Sequence, residues 1–102
     1  MSIKIKIKSD ESIIEVNGKI TIETVPEFEE QFFNLINNGH KKITIDMKET
    51  AYIDSSGLGA FIRIKNVTGK AEADLKLINV NKNVFDVFKF ANLDGFFNIE
   101  LL

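Results

Sequence analysis

The succession of apolar patterns in this 102-residue chain predicts an α/β fold: a single domain over residues 1–102, with a mixed sheet of four to five strands and about three helices packed on one face. Ile3, Ile5 and Ile7 alternate with Lys4, Lys6 and Lys8, the period of a half-buried strand. Val25, Phe28, Phe32, Leu35 and Ile36 recur instead at helical spacing. Strand-like and helix-like segments then alternate to the end in the order ββαβαβαβ. Strand–helix–strand units imply parallel pairing through right-handed crossovers, and the opening hairpin supplies the antiparallel part.

Each element has a local reason. Asp10-Glu11 turns the first strand into a second, Ser12 to Val16, which meets Asn17-Gly18 and is continued or closed by Gly18 to Thr21. The lysines mark the solvent face of an edge strand, where charge discourages edge-to-edge pairing. Thr24 is placed to cap the first helix, with Glu27 as its capping-box partner and Pro26 in the first turn. Glu27, Glu29 and Glu30 complement the positive end of that helix, and Asn37-Asn38-Gly39 stops it, Gly39 serving as a left-handed cap. Lys42 to Met47 reads as a central strand, Lys48 to Ile53 as a loop, and Ala60 to Val67 as a second helix ended by Thr68-Gly69-Lys70. Leu75, Leu77 and Val80, with Ile78 on the other face, make the next strand. Asn81 caps a third helix, Lys82 to Phe90, whose Val84, Phe85, Val87 and Phe88 suit helical spacing; Asn92 to Gly95 then turns into a last strand, Phe97 to Leu101.

Composition narrows the chemistry. The chain is 44% hydrophobic and holds nine phenylalanines, enough for a real core. A net charge of −2, with no basic stripe beyond the N-terminal alternation, argues against nucleic acid as a partner. There is no cysteine for a disulfide or thiol chemistry, and the one histidine, His40, would need three carboxylates around it to build a zinc site, so neither metal nor cofactor is expected. No apolar run approaches a membrane span and the N-terminus lacks a signal-peptide core, so the expected setting is the cytoplasm, away from membranes.

The segment Asp54-Ser55-Ser56-Gly57-Leu58-Gly59 opens the second helix. Asp and Ser are good N-cap residues, and the first turn presents N–H groups without intrahelical partners at the positive end of the helix dipole. A hydroxyl there can carry a phosphate that the helix end stabilises. The two glycines each cost about 1 kcal/mol relative to alanine in a helix interior. Either the turn packs very close to its own sheet or a partner comes close to it. The apolar arc of the helix is about 220° wide, more than a helix on one side of a sheet buries, so one edge is a candidate contact patch; Ala60, Phe61, Ile64 and Val67 share one side, and Leu58 and Ile62 lie towards the other.

Enzymatic readings of this turn find no support. A nucleophile elbow needs glycine two residues before the serine, where Ile53 and Asp54 stand, and the only imidazole lies far off at His40. A phosphate loop would need glycines where Ile64 and Ile13 occur, and Gly57-x-Gly59 lacks the third glycine of a dinucleotide fingerprint. The remaining chemistry is that of a substrate: phosphorylation adds about −1.5 to −2 charges, tolerated by the helix end but expensive for a partner that must bury it. Both hydroxyls, Ser55 and Ser56, satisfy this argument.

Asp46-Met47 followed by Tyr52-Ile53-Asp54-Ser55-Ser56-Gly57-Leu58-Gly59 resembles the signature of STAS domains, specifically of bacterial anti-sigma-factor antagonists. The opening hairpin into Gly18-Lys19-Ile20 and the late Val84…Phe88…Leu93…Phe97-x-Ile99 pattern come in the family's order, so the resemblance covers nearly the whole chain. It implies a partner switch without enzymatic activity. The serine directly after the aspartate, Ser55, would be phosphorylated by an anti-sigma factor that is also an ATP-dependent serine kinase, ending the complex that frees a sigma factor for transcription. A serine phosphatase would restore it. The implied partner surface comprises Asp54, Ser56, Gly57, Leu58, Gly59, Ile62 and Thr21. Thr21 stands where the family commonly has an aspartate, and the chain stops at Leu102, before the further C-terminal helix of many members, which points to a minimal variant or a different partner. Two other functions fit a STAS scaffold: an adaptor in a signalling assembly whose serine is never modified, and a small-ligand or nucleotide binder.

Overall fold

The computed structural model describes every residue from Met1 to Leu102. β1 (Ser2–Ile7) and β2 (Ser12–Ile20) form the antiparallel hairpin, and α1 (Val25–Asn37), β3 (Lys42–Asp46), β4 (Thr50–Ile53), α2 (Ser55–Lys70), β5 (Asp74–Val80), α3 (Lys82–Phe90) and β6 (Ile99–Leu101) follow. The sheet has six strands in the order β1-β2-β3-β5-β6, with β4 paired to β2 off that path; every pairing except β1–β2 is parallel.

Register explains why one face carries the helices. Ile5, Ile14, Ile45, Leu77 and Ile99 are successive cross-strand partners and form one apolar row on the core side. The adjacent row, Lys6, Ile13, Thr44 and Lys76, faces away, because successive strand side chains alternate. All three helices contribute fully buried phenylalanines to the core, Phe28 and Phe32 from α1, Phe61 from α2 and Phe88 from α3. Phe61 is the hub, its ring 5.2 Å from Phe28, 5.4 Å from Phe88 and 6.3 Å from Phe97.

The structure departs from the sequence expectation in five places. The expected loop Lys48 to Ile53 contains a sixth strand, β4, which pairs with Gly18–Ile20 across a bulge. Its end residues are buried and its middle ones exposed, so it has no alternation to read. Thr24 does not cap α1: its hydroxyl accepts from the Thr21 N–H at 2.8 Å and donates to the Lys19 carbonyl at 2.8 Å, closing a turn at residues 21–24 instead of a capping box. α2 continues through Lys70 and stops where Glu72 enters the left-handed region at φ 55°. Leu75, Leu77 and Val80 reach the same core although Val80 is out of phase, because Asn79 at φ 57° makes a bulge, fixed by its amide donating to Asp46 Oδ1 at 3.0 Å. Phe97 precedes the last strand and stacks on Phe88 at 5.1 Å. Gly39, at φ 85°, and Asn81, which accepts from the Val84 N–H at 2.9 Å, act as caps as expected.

Candidate functional site

Because β2, β3, β4 and β5 run parallel, their carboxyl ends lie along one edge of the sheet. α1, α2 and α3 begin at that edge, following β2, β4 and β5. Crevices at the carboxyl edge are where open α/β sheets commonly engage ligands. Here the edge holds the first turn of α2 and the 21–24 turn, side by side.

Asp54 joins them. Its Oδ1 accepts from the Gly57 N–H at 2.8 Å, the N-cap bond, and its Oδ2 accepts from the Ile22 N–H at 3.2 Å. Its own N–H reaches the Ile20 carbonyl at 3.3 Å, and its carbonyl accepts from the Leu58 N–H at 2.9 Å. Thr21, anticipated as part of the surface, is therefore brought beside α2 through Ile22.

The two serines occupy different surroundings. Ser55 is the first helical residue and exposed, whereas Ser56 is half-buried. An exposed hydroxyl can reach the phosphorus of a phosphoryl donor, and the N–H groups of Ser55 and Ser56, in the first helical turn, have no carbonyl four residues back to bind.

The two glycines separate as well. Gly57 is buried against the end of β2, and a Cβ there would overlap the Ile20 carbonyl oxygen. Its reason is internal packing on the sheet, the first of the two alternatives that the sequence left open. Gly59 is half-buried, and a Cβ on it would lie 3.4 Å from the flexible Arg63 Nη1, so nothing rigid in the chain demands glycine at that position.

Further along α2, Ala60, Phe61, Ile64 and Thr68 are buried, and half-buried Leu58 packs on the core. Ile62 is half-buried and stands outside the core cluster, as does Val67, so Ile62 lies at one uncovered edge of the wide apolar arc. Arg63 beside it forms a two-point bond with Glu29 of α1, Nε to Oε2 at 2.7 Å and Nη2 to Oε1 at 3.1 Å, tying the two helices together. The hydrogen bond that the guanidinium donates to Glu29 raises its already high pKa.

His40 is at the other end of β2, where its Nδ1 lies 2.6 Å from the buried Ser12 hydroxyl. No imidazole base therefore serves Ser55. Sequence patterns did not single out Ile22, which is 71% exposed next to Asp54; its signal is an isolated apolar residue following the strand in a Thr-Ile-Glu-Thr turn. No helix is long and apolar enough to cross a membrane.

Comparison with known proteins places this geometry in context. The family model described as the STAS domain matches residues 2–101. An anti-sigma-B factor antagonist of Bacillus subtilis is 30% identical over 102 residues, covering 98% of this chain and 93% of the relative. The crystal structure of a candidate anti-sigma factor antagonist from Thermotoga maritima superposes with a TM-score of 0.90 at 27% identity, over 98% of this chain and 86% of that one. The phosphorylated form of the Bacillus cell fate determinant SpoIIAA shares the fold, with a TM-score of 0.76 at 17% identity over 99% of this chain and 92% of that one.

Proposed function

Since this chain belongs to the STAS domain family, we propose that it acts as a cytoplasmic anti-sigma-factor antagonist switched by phosphorylation of Ser55. Unmodified, it binds an anti-sigma factor through the first two turns of α2 and the adjoining 21–24 turn, and so releases a sigma factor. The anti-sigma factor doubles as an ATP-dependent serine kinase, and a serine phosphatase reverses the modification. In this role the chain is a substrate and a binding surface, not a catalyst.

The observation that carries the reading is the contrast between an exposed Ser55 and a half-buried Ser56 at a helix end already capped by Asp54. In the transfer, the Ser55 Oγ–P bond forms as the γ-phosphorus parts from the bridging oxygen of ATP. ADP leaves with that electron pair, and the hydroxyl proton passes to a base on the kinase. The resulting dianion sits at the positive helix end, where an N-terminal charge is favoured by about 0.3–1 kcal/mol. The neighbouring Asp54 carboxylate offsets part of that gain. The fold is left intact, whereas a partner seated on the turn must desolvate an unpaired charge at a cost of several kcal/mol.

Incubation with ATP and the purified anti-sigma-factor-type serine kinases of the same genome, followed by intact-mass measurement, tests the assignment. Wild type gains one phosphoryl group and Ser55→Ala gains none. A wild type that stays unmodified, or a Ser55→Ala protein modified equally well, refutes it. The family resemblance of the Bacillus subtilis antagonist adds support at the level of the partner class.

A further inference from the structure

We infer that the outer edge of β1 is a docking site for an extended segment of a partner protein in which carboxylates alternate with apolar side chains. β1 ends the sheet, paired with β2 on one side and with no strand on the other. The Lys8 N–H donates to the Glu11 carbonyl at 2.8 Å, directly across the hairpin. Antiparallel pairs alternate between bonded and unbonded, so Ser2, Lys4 and Lys6 turn their backbone groups inward like Lys8. The N–H and C=O groups of Ile3, Ile5 and Ile7 point outward, free to pair. Side chains divide the same way. Ile3, Ile5 and Ile7 lie on the helix-bearing face, yet Ile3 and Ile5 are only half-buried and Ile7 is 59% exposed, whereas Ile14 and Val16 of β2 are covered. On the opposite face Lys6 is bonded to Glu15 at 3.0 Å, and Lys4 and Lys8 pair with no carboxylate.

Charge selects the occupant. Lysines on an edge strand block pairing with a strand like itself. A second copy joined β1 to β1 would set lysine against lysine, which is destabilising. The β6 edge of a second copy fits no better, since it has three residues and its one acidic side chain, Glu100, is taken by Lys76. A segment with carboxylates at alternate positions reverses the sign. Its acids face the lysines, its apolar side chains cover Ile3, Ile5 and Ile7, and backbone bonds supply the affinity typical of strand addition. This edge shares no residue with the surface around Ser55, so the inference stands apart from the function proposed above.

The probe is a capped synthetic peptide, as long as β1, that alternates glutamate with valine, added to the full chain and followed by NMR amide exchange. The Ile3, Ile5 and Ile7 amides slow by at least about tenfold at saturation, whereas those of Lys4 and Lys6, already in the ladder, change little. Added salt weakens the binding, and a peptide with lysine in place of glutamate does not bind. Lys4→Glu combined with Lys8→Glu lowers the affinity about tenfold, as two attractive cross-strand pairs become repulsive, and admits the lysine peptide instead. Ile5→Pro removes one outward N–H, a position where an edge strand tolerates proline, and abolishes binding in a chain still folded by circular dichroism; if it does not fold, the lysine variant decides. Unslowed β1 amides at saturating peptide, equal binding of the two peptides, or a dimer formed through β1 overturns the inference.

Discussion

Replacing Gly57 with alanine isolates the close packing of α2 on the sheet. Gly57 lies in the first turn of α2 with an ordinary helical backbone, so helix propensity alone favours alanine by up to about 1 kcal/mol. Against this, the new Cβ overlaps the Ile20 carbonyl oxygen, a backbone atom that cannot swing aside. Forcing a methyl group into such a contact costs about 1–3 kcal/mol. Moving α2 away also stretches the bond from the Asp54 N–H to the same carbonyl, already 3.3 Å long, for about 1 kcal/mol more. The sum is a net destabilisation of about 2 kcal/mol, which in a domain of this size lowers Tm by about 8–16 °C. Gly59→Ala is the internal control: its Cβ meets only the movable Arg63 side chain, so it leaves stability unchanged or raises it by up to about 1 kcal/mol. Urea denaturation and calorimetry of both variants measure the difference. Equal stability of the two alanine variants would refute the packing argument.

Other consequences follow from the core and the caps. Phe61→Ala opens a cavity where the aromatic side chains of all three helices meet, and should cost about 3–5 kcal/mol by urea denaturation. Asn79→Ala places a Cβ residue without a compensating amide in the left-handed region and removes the bond to Asp46, for about 2 kcal/mol; Asn79→Gly, which keeps the backbone freedom, should lose about half as much. Arg63→Ala, which breaks a solvent-exposed pair with Glu29, should change stability by less than about 1 kcal/mol, an effect that added salt diminishes.

What the sequence disclosed was whatever is decided over a few residues. The Asp54 and Asn81 caps, the Gly39 helix stop and the alternation of β1 were legible because each depends on neighbours within a turn or a pleat. The features it concealed depend on distant chain. β4 exists because Thr50–Ile53 finds the far end of β2, and Gly57 is small because of the Ile20 carbonyl. Thr24 carried the local signature of a capping box, but its hydroxyl is taken by Thr21 and Lys19. At the site, the phosphate-compatible helix end was readable. The place of Ile62 at an uncovered edge, and the attachment of Ile22 to Asp54, required the packing of α1 and α2 around it.

The central claim is that one charged group on Ser55 decides whether the partner stays bound. Calorimetric titration of the anti-sigma factor with the unmodified and the phosphorylated chain tests it most directly. Burial of an uncompensated dianion predicts an affinity at least about a hundredfold weaker for the phosphorylated form, an increment of about 2.7 kcal/mol, with both forms equally folded by circular dichroism. Equal affinity of the two forms would contradict the account and leave an unswitched adaptor as the function of this surface.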